Sequence, residues 1–268
     1  MALITIKEVD VMLLAVDIGN TNIVFGCVSE DDEVVLFERI STNHNATAAE
    51  YASIIKNIFE MNGFNIGDID DAIMSSVVPS VTNTVREAVN KLFHVEVMLA
   101  GPGVKTGLNI LIDNPAQLGS DQAVDAVAAI NQYPVPLIII DMGTATTVSV
   151  VDRNKNYRGG LIMTGMAVAA DALIARTAQL PKVNFEAPSH IIGTNTIDCM
   201  KSGFLYSNAC ALDGIIQRIE EELGDKCTAV ATGGLSELVV PLCKKEVILD
   251  SNLLIKGLGI IYRKNKKK

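Results

Sequence analysis

With 268 residues, 49% of them hydrophobic, the chain can fill one large domain or two small ones, which excludes a disordered protein. Its 31 acidic against 22 basic side chains leave a formal charge of −9, which excludes nucleic acid as the expected partner, because a phosphate backbone needs a basic surface.

No apolar run is long enough to cross a bilayer; the stretch from Leu161 ends at Asp171. Met1 to Asp10 carries Glu8 and Asp10 and lacks the basic start of a signal peptide. The five cysteines, Cys27, Cys199, Cys210, Cys227 and Cys243, form no Cys-x-x-Cys pair, so they read as reduced, part-buried thiols of a cytoplasmic protein. Three scattered histidines, His44, His94 and His190, give no support to a zinc site or a His-based triad. The basic end, Arg263 to Lys268, reads as a solvated helix terminus.

Met12 to Val16 is an apolar run and reads as a buried strand. Asp17, Ile18, Gly19, Asn20, Thr21 and Asn22 follow, and Ile23 to Phe25 then reads as an antiparallel partner across a tight turn, with Gly19 expected at φ > 0. Backbone N–H groups and short hydroxyl or amide side chains suit phosphate oxygens, and Asp17 is placed to hold a cation or a water beside them. A third strand is expected over Glu33 to Ile40. Thr47-Ala-Ala-Glu50 has the spacing of a capping box, and Tyr51, Ile54, Ile55, Ile58 and Phe59 carry the helix on to Gly63. Asp71 to Ser76 is a short strand, Pro79 opens a helix, and Val95 to Leu99 is a further strand. This half reads β-β-β-α-β-α-β.

Gly101 to Gly107 is a Gly- and Pro-rich loop, either a linker or a ligand contact through Lys105 and Thr106. Asn114-Pro115 starts a helix with Gly119, Ser120, Asp121 and Gln122 in its early turns. The strand ending at Asp141 then repeats the earlier pattern: Asp141-Met-Gly143-Thr144-Ala145-Thr146-Thr147, followed by a strand to Val151 and another from Tyr157 to Ile162. A helix over Met166 to Ala178, a long one capped by Thr194-Asn195-Thr196 and running to about Glu222, a strand over Cys227 to Ala231 and a last helix over Asn252 to Tyr262 complete the plan. Two Asp-x-Gly turns, one in each half, point to a duplicated domain with one phosphate loop per copy. The division falls between residues 1–113 and 114–268.

These motifs, with Gly101-Pro-Gly-Val-Lys105-Thr106-Gly107, Gly119 to Gln122, Thr194 to Thr196 and Ala231-Thr232-Gly233-Gly234-Leu235, occur in the order seen in type III pantothenate kinases, which the chain resembles from about Leu13 to Gly259. That family lies in the acetate and sugar kinase, heat-shock and actin superfamily. The resemblance implies an α/β fold of duplicated actin-like (ribonuclease H-like) domains, each a mixed sheet of three antiparallel strands and then alternating helices and strands, flanked by helices. It implies ATP-dependent phosphorylation of pantothenate at its 4′-hydroxyl, with Mg²⁺ and a monovalent cation (K⁺ or NH₄⁺), in a homodimer. By resemblance, Asp17, Ile18, Gly19, Asn20, Thr21, Asn22, Ile23, Val24, Thr144, Gly233 and Gly234 bind ATP. Gly119, Ser120, Asp121, Gln122 and Thr196 bind pantothenate, with Asp121 as proton acceptor, and Asp141 binds K⁺.

The chain departs from the family pattern at Gln122, where the family has Arg, and at Thr164-Gly165, where it often has Pro-Gly. A guanidinium grips the pantothenate carboxylate bidentately and an amide does not. Lys105 is a candidate for compensation. A catalytically weak or inactive nucleotide-binding paralogue and a kinase for a related uncharged alcohol therefore stand as alternatives.

Overall fold

The computed structural model describes residues 12–101 and 103–266. The readings on Met1 to Asp10, on Pro102 and on Lys267 and Lys268 lie outside the described residues. By contacts the chain forms two compact units. One holds the chain up to Gly107, Ala116–Ala128 and Asn252 onward; the other holds Leu108–Pro115 and Ala129–Ser251. Contacts therefore do not follow a single cut at 113/114: the last helix packs with the first unit.

The first unit is built on β1 (Met12–Ile18), β2 (Asn22–Val28), β3 (Val34–Ser41), β4 (Ile69–Ser76) and β5 (Val97–Leu99), in the order β3-β2-β1-β4-β5. β1, β2 and β3 pair antiparallel, and β1, β4 and β5 parallel. Alternation along the strands decides what each face buries. Met12, Leu14, Val16, Ile18, Ile23, Phe25 and Cys27 point to one core with α1 (Ala48–Met61) and α2 (Pro79–Phe93), where Tyr51, Ile55, Phe59, Val85 and Val89 meet them. Each fully buried apolar side chain contributes roughly 1.5–3 kcal/mol. Thr47 and Glu50 form the expected capping box at the start of α1.

The opposite face receives α7 (Leu253–Asn265), on which the first part of α3 (Ser120–Gln132) packs. Gly26 and Gly257 permit this close packing: a Cβ on Gly26 would press on Ile255, and one on Gly257 would meet the Val124 backbone. The basic residues lie at the end of α7 as expected, with Lys264 and Lys266 exposed, and they make surface contacts. Arg263 pairs with Asp32 and donates to the Ser29 carbonyl, Lys264 donates to the Thr106 carbonyl, and Lys266 pairs with Asp71.

The second unit repeats the plan with β7 (Leu137–Met142), β8 (Ala145–Val151), β9 (Asn156–Thr164), β10 (Thr228–Thr232) and β11 (Ile248–Leu249), ordered β9-β8-β7-β10-β11. β6 (Asn109–Ile110) extends β9 as an added edge. Ile138, Ile140, Met142 and Val148 bury one sheet face beneath α4 (Met166–Ala175), α5 (Thr196–Leu223) and α6 (Ser236–Val239). α4 ends at Ala175, one turn earlier than its apolar pattern suggests, and α3 begins only at Ser120, after a 3₁₀ turn over Pro115–Gln117. All five cysteines are free thiols, and Cys199 and Cys210 are exposed rather than part-buried. Burial pushes the Cys227 and Cys243 thiols up to about 11. No helix among the described residues is long and apolar enough to cross a membrane.

Candidate active site

In the first unit β1 and β4 run parallel with Asp17 opposite Ser75 and Ile18 opposite Ser76. The buried Ser75 hydroxyl donates to Asp17 Oδ1, so the carboxylate is oriented from the neighbouring strand. Beyond Ile18 the turn closes with the Gly19 N–H donating to the Asn22 carbonyl (2.9 Å). Gly19 is not at positive φ, which corrects that expectation. A Cβ there would lie 3.1 Å from the Asn22 carbonyl oxygen, so close approach explains the glycine. Asn20 and Thr21 are exposed.

The start of α3 comes to the same edge of the sheet. The Ser120 hydroxyl donates to the Ser76 carbonyl (3.3 Å), and the Ser76 hydroxyl accepts from Thr82 (2.7 Å). Asp121 therefore stands at the carboxyl end of the parallel pair β1 and β4, where open α/β sheets bind their ligands. Its Oδ1 accepts from the Gln122 N–H (2.8 Å) and lies over Gly119, where a Cβ would collide with it. The Gln122 Oε1 also faces Gly119. Any side chain at 119 would push both groups from their places.

Lys105 is not brought to this edge. Its backbone is held by Asn265 on both sides, N–H to Oδ1 and carbonyl to Nδ2, each 2.9 Å. Neighbouring Arg263 and Lys266 reach the β2–β3 turn and Asp71, which mark the other edge of the sheet, on the order of 15 Å along β4 from Ser76. Lys105 is exposed there.

In the second unit Asp141 lies opposite Thr232 on the parallel strand β10, and the Gly143 N–H donates to the Ala145 carbonyl (3.1 Å). Gly233 has φ +90, and a Cβ on it would come within 2.5 Å of Asp141 Oδ1 and 2.6 Å of the Met142 nitrogen. The two motifs singled out in this half, Asp141 to Thr144 and Gly233-Gly234, thus adjoin. Thr144 is exposed, and its carbonyl accepts from the Gly165 N–H (3.1 Å). A Cβ on buried Gly165 would collide with the carbonyl oxygens of Gly143 and Thr144.

Thr196 opens α5 behind the N-cap Asn195, whose side chain accepts from the Asp198 N–H (2.9 Å). It lines an open groove of about 870 Å³ with Leu173, Leu180, Cys199 and Phe204. The sequence reading missed Ser75 and the packing role of Gly165. Their signal is the pairing of strands, which a linear motif does not carry.

The type III pantothenate kinase family model matches residues 13–218. A type III pantothenate kinase from Halalkalibacterium halodurans is 41% identical over 254 residues, 95% of this chain and 100% of the relative. One from Exiguobacterium sp. is 40% identical over 256 residues, 96% of this chain and 100% of the relative. This chain belongs to the type III pantothenate kinase family. Among solved structures, component A of the Acidaminococcus fermentans (R)-2-hydroxyglutaryl-CoA dehydratase superposes with a TM-score of 0.55 at 15% identity, over 94% of this chain and 97% of that one. The activator of the 2-hydroxyisocaproyl-CoA dehydratase from Clostridium difficile, solved with ADPNP bound, gives 0.52 at 13% identity over 96% and 98%. These likenesses show the fold. The type III pantothenate kinase family member described here is a duplicated actin-like protein, with the strand order of its first sheet repeated in the second.

Proposed function

We propose that this chain transfers the terminal phosphoryl group of ATP to the 4′-hydroxyl of pantothenate, the first step towards coenzyme A. The observation that supports it most, in a chain of this family, is the start of α3: Ser120 binds the end of β4, so Asp121 stands beside the Asp17 turn. Phosphoryl transfer asks chiefly for positioning and charge neutralisation, with a base for the attacking hydroxyl. Asp121 takes that proton, Gly119, Ser120, Gln122 and Thr196 hold pantothenate, and Asp17 to Val24, Thr144, Gly233 and Gly234 hold the nucleotide.

A monovalent cation, K⁺ or NH₄⁺, fits the Asp141 carboxylate, a hard oxygen donor flanked by Gly143 and Gly233 with no side chain on either. There it would offset phosphate charge. Mg²⁺ suits the Asp17 carboxylate held by Ser75, where it would neutralise the phosphates of ATP. The repeat boundary at 113/114 remains the proposed line of duplication. A cytoplasmic location suits five free thiols.

A homodimer is proposed as well. Ile162, Val168, Leu173, Ile191, Ile192 and Ile197 are large exposed apolar side chains on β9, α4, the loop before α5 and its first turn. Surfaces of that kind mark interaction sites. Analytical ultracentrifugation of the full chain tests it, and a monomer at micromolar concentration overturns it.

The decisive assay is ADP release with pantothenate and Mg-ATP, faster in K⁺ than in Na⁺. Asp121→Asn lowers turnover at least about 100-fold. Gln122→Arg lowers the KM for pantothenate roughly ten- to a hundredfold by adding a charge-assisted contact to its carboxylate. No pantothenate-dependent ADP release at millimolar substrate overturns the proposal. Gln122 favours a second reading, a nucleotide-binding paralogue without turnover, which calorimetry with a non-hydrolysable ATP analogue identifies. Turnover of uncharged pantetheine in preference to pantothenate identifies a kinase for another alcohol.

A further inference from the structure

We propose that Thr42, just past the end of β3, is a positioning residue that fixes the first phosphate turn for the nucleotide. The proposal rests on the reading of Asp17 to Val24 as a phosphate seat. The Thr42 hydroxyl donates to the Gly19 carbonyl (2.7 Å), and the Thr42 N–H donates to the Thr21 carbonyl (2.9 Å). One residue therefore holds the carbonyls on either side of exposed Asn20.

A trans peptide is planar, so a carbonyl and the following N–H point in opposite directions. Drawing the Gly19 oxygen towards Thr42 turns the Asn20 N–H away from Thr42 and out of the turn, the orientation an anion-binding loop needs. Thr42 is itself braced. The Tyr51 hydroxyl accepts from the Asn43 N–H (3.0 Å) and donates to the Asn43 carbonyl (2.8 Å). Tyr51 belongs to α1 and is 1% exposed, so the clamp is anchored in the core of the first unit.

The second half supports the reading independently. The residue just past its third strand is Gly165, and its N–H likewise donates to the carbonyl of its turn residue, Thr144. Each copy thus ties its Asp-x-Gly turn from the end of the third strand. Only the first does so with a side chain, and a side chain can be removed without disturbing the backbone.

Steady-state kinetics on Thr42→Val and Thr42→Ser test this. Thr42→Val is isosteric but cannot donate; it raises the KM for ATP about three- to tenfold and leaves that for pantothenate unchanged. Thr42→Ser keeps the hydroxyl and restores the wild-type value. Thr42→Ala replaces the valine variant if that one fails to fold. An unchanged KM for ATP, a matched rise in both KM values, or a serine variant no better than valine overturns the proposal. Should the wild type release no ADP, the proposed activity fails, and the Thr42 comparison is read from calorimetry with the ATP analogue. No analogue binding by the wild type overturns both.

Discussion

The two halves solve one construction problem with different materials. Each carries an aspartate at the end of its first strand, opposite a hydroxyl residue on the parallel fourth strand: Asp17 faces Ser75 and Asp141 faces Thr232. In each, the N–H just past the third strand ties down the turn. The first half works with side chains, Ser75 on Asp17 and Thr42 on Gly19. In the second, the backbone at Gly165 and Gly233 approaches so closely that no Cβ fits. Side-chain contacts give way one at a time, whereas backbone packing has no slack. The copies should therefore differ sharply in how they tolerate a single methyl group.

The largest effect is expected at Gly165→Ala, whose methyl meets two backbone carbonyls in a buried site. It should destabilise the protein by about 3–5 kcal/mol in chemical denaturation and abolish ADP release. A variant of near wild-type stability would break the comparison. Gly233→Ala adds the strain of a positive φ to contact with Met142 and Asp141, and about 2–4 kcal/mol is expected. In the first half Ser75→Ala removes one hydrogen bond to a carboxylate, which costs about 1.5–3 kcal/mol, with a raised KM for ATP. A loss there exceeding that of Gly165→Ala would reverse the argument.

The smallest effect sharpens the comparison through pH. Glu220 on α5 accepts from Lys245, which with the Cys227 N–H and Lys226 holds its carboxyl at about 2, below its ordinary value of 4.5. A lowered folded pKa means the native state binds fewer protons, so the stability it lends is fully present above about 4.5. It is lost as pH falls from there through about 2. Glu220→Gln should lower the thermal midpoint modestly at pH 7 and flatten its fall over that window, so that the two proteins converge near pH 2. An acid profile identical to wild type would show that the carboxylate is not held this way.

Much of this was legible in the chain. The apolar run before Asp17, the Thr47–Glu50 spacing and Pro79 each act locally, so β1, α1 and α2 lie where their own residues place them. The Asp-x-Gly repeat gave the duplication because both turns are made by neighbours in sequence. Contacts set by pairing were not legible. Ser75 reaches Asp17 only because β4 lies beside β1, and Thr42 reaches Gly19 only because β3 ends there. Nor was the hold of Asn265, far along the chain, on the Lys105 backbone legible. Gly19 was read as a φ requirement and proved to be a matter of space.

The return of α7 to the first sheet has a consequence for how the protein is made. Ile255 packs on Gly26, and Gly257 on Val124, so a wall of the first unit comes from the end of the chain. During synthesis the second unit emerges in full while that wall is still missing. The half translated first therefore becomes complete only after the second has been made, and until then its β1–β2–β4 surface lacks the helix that covers it.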